Sequence, residues 1–78
     1  MLQILVVDDD KNTRRYLTAV LSDTGYSVSC AECAQTALNI MENTKIDLIV
    51  LDIMMPGMDG YAFAELLRDC NNDIPILM

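Results

Sequence analysis

Histidine is absent from this 78-residue chain, and only five residues are basic: Lys11, Arg14, Arg15, Lys45 and Arg68. Nucleic acid is attracted by clustered Lys and Arg, so a net charge of −7 argues against direct DNA or RNA binding by these residues. An acidic pole attracts cations and basic partner surfaces instead. No apolar run approaches the ~18 residues of a membrane span, and no signal peptide precedes the first apolar segment. A cytoplasmic protein with no membrane partner is expected. Cys30, Cys33 and Cys70 are an odd number and form no disulfide framework. Cys30 and Cys33 have the C-x-x-C spacing, but zinc would need two further ligands and Cys70 is the one other thiol. Small buried thiols near a strand edge are the expectation for them. A chain this short is one domain at most, and buries only about 60% of its unfolded surface. Its hydrophobic content of 53% and mean hydropathy of +0.27 are high for that size and imply a core with partners beyond these residues.

What is present is acidity in two particular places. Ile4-Leu5-Val6-Val7 runs into Asp8-Asp9-Asp10, and Leu48-Ile49-Val50-Leu51 runs into Asp52. Each is a continuously apolar strand that delivers carboxylates to one edge. Ligands bind at the carboxyl ends of the strands in open parallel sheets, so the two edges are expected to meet at one site. Carboxylates brought together raise one another's pKa unless a cation neutralises them, and an oxygen-rich cluster without histidine suits a hard divalent ion such as Mg2+. The implied chemistry is metal-assisted work on a phosphoryl group. A calcium loop built on Asp8, Asp10 and Asn12 fails, because Thr13 stands where such a loop needs Gly and Ala19 where it needs Glu.

The pattern along the chain alternates strand and helix. Gln3 to Val7 reads as a buried strand, and Asp10 as the cap of a helix over Lys11 to Thr24, whose stripe is Leu17, Val20 and Leu21. Gly25 supplies the left-handed residue that stops it. Tyr26 to Cys30 alternates polar and apolar, as at a sheet edge. Ala34, Ala37, Leu38 and Met41 mark a second helix ending near Asn43, before the central strand Leu48 to Leu51. Pro56-Gly57 breaks the chain ahead of a third helix, capped by Asp59, with apolar positions Ala62, Phe63, Leu66, Leu67 and Cys70. Ile74 to Met78 begins a fourth strand. Such alternation argues for parallel crossover units in an α/β three-layer sandwich.

Two segments carry a family resemblance. Asp52-Ile53-Met54-Met55-Pro56-Gly57-Met58-Asp59-Gly60 resembles the loop after the phosphoacceptor strand of two-component response-regulator receiver domains. Ile4 to Asp10 resembles their first strand and acidic pair. The resemblance covers Met1 to Met78 and implies a flavodoxin-like fold with strand order 2-1-3-4-5, cut after strand four. It implies that Asp52 is the phosphoacceptor, that Asp9 binds Mg2+ directly, that Asp8 acts mainly through an ordered water, and that the backbone carbonyl of Met54 completes the protein ligands. A sensor histidine kinase is the implied partner. Receivers also carry a Ser or Thr beyond strand four and a Lys at the end of strand five, and the sequence stops at Met78 ahead of both.

The expected role is therefore a signalling phosphoacceptor, not an enzyme, limited to self-phosphorylation and slow self-dephosphorylation. A Mg2+-dependent phosphohydrolase with an aspartyl nucleophile is the alternative. Hydrolases resembling the haloacid dehalogenase group place an acid/base Asp two residues after the nucleophile, where this chain has Met54. A non-phosphorylated interaction module of the same fold is a third reading. Arg14 and Arg15 near the acidic edge could guide a phosphate donor, dock a partner helix or form a solvated face. Strand four is nearly all apolar, with Pro75 its one protection, so self-association through it is also expected.

Overall fold

The computed structural model describes residues 2–51, 65 and 74–77. In chain order the elements are β1 (Gln3–Val7), α1 (Lys11–Asp23), β2 (Ser27–Ala31), α2 (Ala34–Asn43), β3 (Leu48–Leu51) and β4 (Ile76–Leu77). The four strands among the described residues are parallel and lie in one sheet in the order β2-β1-β3-β4, as expected. The third helix, with Asp59 and the positions from Ala62 to Cys70, falls outside the described residues except for Glu65, which is helical and exposed.

Strand alternation divides β1 between two layers. Leu5 and Val7 join Ala31, Ile49 and Leu51 in a core closed by Ala34 and Ala37 of α2, with Ile46. Ile4 and Val6 are equally buried but point to the other face. Val6 is the register partner of Cys30, whose thiol meets Thr18 of α1, so α1 covers that second face. Small alanines on α2 let the helix approach the sheet closely, while the branched side chains of β1 and β3 fill the space beneath. Full burial of one such side chain contributes about 1.5–3 kcal/mol.

α1 is held at both ends by the local sequence. Asp10 caps it, accepting from the Asn12 amide at 2.9 Å. At its other end the Gly25 amide donates to Ser22 O and the Tyr26 amide to Leu21 O, and Gly25 takes a φ of +100° that a side-chain-bearing residue adopts only with strain. The expected stripe is only partly covered. Leu17 and Leu21 are half-buried, but Val20 is 45% exposed, because α1 lies over β1 and β2 and turns Val20 away from both.

β2 sits at the sheet edge, one residue later than the alternation suggests. β4 starts later than expected, its ladder beginning after Pro75 among the described residues. That proline has no amide to donate, yet its carbonyl accepts from the Ile49 amide at 3.0 Å and leads the strand into place.

Candidate functional site

The site begins at the end of the sheet opposite to it. Gln3 and Asp47 exchange two bonds: the Asp47 amide donates to Gln3 O at 2.7 Å, and the Gln3 amide donates to Asp47 Oδ2 at 2.9 Å. This bracket starts the parallel ladder with Ile4 beside Leu48, and three steps later Val7 stands beside Leu51. Neighbouring strands lie about 4.8 Å apart, so β1 and β3 finish side by side. Asp8 follows Val7, and Asp52 follows Leu51. Asp52 and Met54 themselves lie outside the described residues.

Each of the three consecutive aspartates has a different task. Just beyond β1 the Asp8 amide donates to Ala31 O at 3.1 Å, which holds its backbone beside the end of β2. Its side chain is half-buried, and Oδ1 accepts from the Asp10 amide at 2.9 Å. Its carbonyl accepts from Arg14 Nη1 at 2.6 Å. Asp9 is exposed at the bend between strand and helix. Asp10 is turned into the helix, where it also accepts from Thr13 Oγ1 at 3.2 Å, so it belongs to the cap and not to the acidic pair. Among the described residues no three metal-ligating side chains converge.

Sequence reasoning missed Asp47 and the anchoring role of Arg14. A polar residue directly before an apolar strand signals the first, because it can close a ladder from the loop side. Nothing in the linear pattern distinguishes Arg14 from Arg15. In the fold Arg14 is half-buried against the end of β1, and Arg15 is exposed.

The expectation of buried thiols needs correction for one cysteine. Cys30 is half-buried, but Cys33 is exposed at the N-cap of α2, since the chain leaves β2 at the buried Ala31 and turns out to solvent before re-entering at Ala34. Its thiol lies 3.4 Å from Thr36 Oγ1, and this hydrogen bond, aided by the backbone amides of Thr36 and Gln35, holds it below the usual thiol range. Cys30 meets Thr18 of α1 while Cys33 meets Thr36 of α2, so the two sulfurs serve opposite layers.

Comparison with known proteins follows the same lines. The sequence model of the response regulator receiver domain matches residues 4–78. Response regulator MprA of Mycobacterium sp. strain KMS is 44% identical over 77 residues, which are 99% of this chain and 34% of that protein. The chain thus spans about a third of the length of the curated relatives it matches. Among solved structures, TrrA of Thermotoga maritima in complex with Mg2+-BeF superposes with a TM-score of 0.90 at 39% identity, covering 97% of this chain and 66% of that one. TrrA is also known in complex with the histidine kinase ThkA. The chemotaxis protein CheY4 of Vibrio cholerae superposes with a TM-score of 0.94 at 34% identity, covering all of this chain and 67% of that one.

Proposed function

Because this chain belongs to the receiver-domain family of two-component response regulators, we propose that Asp52 is its phosphoacceptor and that a sensor histidine kinase is its phosphoryl donor. The observation that supports this is the register of Val7 with Leu51, the residues that immediately precede Asp8 and Asp52 in the chain. An oxygen of the Asp52 carboxylate attacks phosphorus as the bond to the kinase imidazole breaks. Residues 1–78 supply the nucleophile and the metal-binding half of the domain.

The donor set fits Mg2+. It is oxygen only, with no histidine anywhere in the chain, and Asp8 is held by its bond to Ala31 O and by the Asp10 amide while Asp9 faces solvent. Asp9 and Asp52 would hold the ion, with Asp8 acting through water and the Met54 carbonyl completing the set. When bound, Mg2+ would offset the gathered carboxylate charge and that of the incoming phosphoryl oxygens. Arg14 keeps the Asp8 backbone in place, and Asp10 keeps α1 from fraying beside it. Transfer from a sensor kinase implies a cytoplasmic location. Among the described residues no helix is long and apolar enough to cross a membrane.

Intact-mass measurement with acetyl phosphate and Mg2+ tests the assignment. One phosphoryl group is expected on the native protein and none on Asp52→Asn, whose amide lacks the anionic nucleophile. Persistent acid-labile phosphate on Asp52→Asn would overturn it. Steady multiple turnover of a small phosphomonoester would instead favour the phosphohydrolase.

A further inference from the structure

A second feature, a largely apolar groove with basic residues at one end, lies beside the acidic edge, on the other side of α1. Between this helix and β2 runs an open cavity of about 470 Å3. Its lining on α1 follows one helical stripe, Lys11, Arg15 and Ala19 then Ser22, with Arg14 and Thr18 in the neighbouring row and Cys30 facing them from β2. The cavity exists because the residues along its length are small: Thr18, Ala19, Ser22 and Cys30 cannot fill the gap between helix and strand. Its volume lies within the range of small-molecule sites.

The charge distribution gives the cavity a polarity. Three of the five basic residues in a chain of net charge −7 line this one groove, all at its end nearest the N-terminus of α1. The helix dipole adds positive potential at that end and leaves the Ser22 end without it. Arg14 donates to the Asp8 carbonyl, but Lys11 and Arg15 make no ion pair or hydrogen bond among the described residues. Two cations without an ion pair among the described residues thus stand over a floor of small side chains, where Thr18 and Cys30 satisfy one another at 3.0 Å.

We propose that the α1–β2 groove binds a small amphipathic organic anion, with a carboxylate or phosphate-type head held by Lys11 and Arg15 and a compact apolar body lying along Ala19 and Cys30 toward Ser22. This site is distinct from the phosphoacceptor edge and stands whether or not Asp52 is phosphorylated. Arg14 touches both, lining the groove with its side chain and bonding the Asp8 carbonyl, so occupancy of the groove is linked to the position of the acidic pair. By reciprocity, any effect of the anion on Mg2+ affinity is matched by an equal effect of Mg2+ on anion affinity.

The test is a titration of 15N-labelled protein with phenylphosphonate, whose carbon–phosphorus bond cannot donate a phosphoryl group, in the absence of Mg2+. Saturable amide shifts are expected at Lys11, Arg15, Ala19 and Cys30. Methylphosphonate, which has the head without the body, is expected to bind at least about tenfold more weakly, as is phenylphosphonate to the Lys11→Gln/Arg15→Gln double variant. Ala19→Leu fills the exposed groove without touching the core and is expected to remove the shifts at Cys30. Absence of saturable shifts on α1 and β2 would overturn the proposal, and so would equal binding of the two phosphonates or undiminished binding to the double variant. None of these results depends on phosphorylation, so failure here and failure of the Asp52 assignment are separately visible.

Discussion

Gln3 and Asp47 bracket the open end of the sheet with two reciprocal hydrogen bonds of 2.7 and 2.9 Å, and this pair sets which residues stand together four positions further on. Side-chain direction alternates along a strand, so a slip of one residue would turn β3 over and carry Leu51 away from the level of Val7. The site at one end of the molecule is thus positioned by a contact at the other.

Removal of the Asp47 carboxylate leaves the half-buried Gln3 amide without its acceptor. Asp47→Ala is expected to lower stability by about 1–2 kcal/mol, and Asp47→Asn, which keeps an acceptor oxygen, by less. Urea unfolding of the three proteins measures it. Equal midpoints would show that the bracket does not hold the register.

The neighbouring acids Asp9 and Asp10 are expected to separate cleanly. Asp10→Ala loses the α1 cap, at a cost of about 1 kcal/mol, and keeps most of its Mg2+ affinity. Asp9→Ala is expected to lose Mg2+ affinity by at least about tenfold with little loss of stability, since its exposed carboxylate supports no structure in the described residues. Thermal unfolding with and without millimolar Mg2+ reads both quantities, because an ion bound only to the folded state raises the midpoint. Reversal of the two patterns would exchange the assigned roles.

Cys33 is expected to be the more reactive of Cys30 and Cys33. Its thiolate is stabilised chiefly by the Thr36 hydroxyl, so the anion is favoured and the proton leaves at lower pH than from an ordinary thiol. The iodoacetamide rate at Cys33, resolved by peptide mapping, is expected to rise with pH about a midpoint below that of an ordinary thiol. Thr36→Val removes the largest contribution and is expected to move the midpoint up. An unmoved midpoint would place the cause elsewhere.

Self-association through β4 is the fourth expectation, for a polypeptide of residues 1–78 alone. Leu77 is 60% exposed, and among the described residues β4 pairs with β3 alone. An apolar strand edge of this kind is a template for pairing. Sedimentation at micromolar concentration is expected to show a dimer or larger species that Leu77→Lys shifts toward monomer. A native protein that sediments as a monomer would refute it.

Much of this architecture is written locally. The continuous apolar runs of β1 and β3, the cap at Asp10, the stop at Gly25 and the small-residue face of α2 each depend on a few neighbouring residues, so periodicity and turn chemistry reveal them. The acidic strand ends are legible for the same reason. What the linear pattern could not settle are relations between distant segments. The alignment of Val7 with Leu51 depends on the contact of Gln3 with Asp47, which are 44 residues apart. The exposure of Val20 depends on which strands α1 crosses, and that of Cys33 on how the chain turns from one layer to the other. The groove between α1 and β2 arises because small residues from two separate elements face one another. Spacing along a chain specifies the direction of a side chain within its own element, whereas register and layer packing, decided by the sum of many distant contacts, determine what that side chain meets.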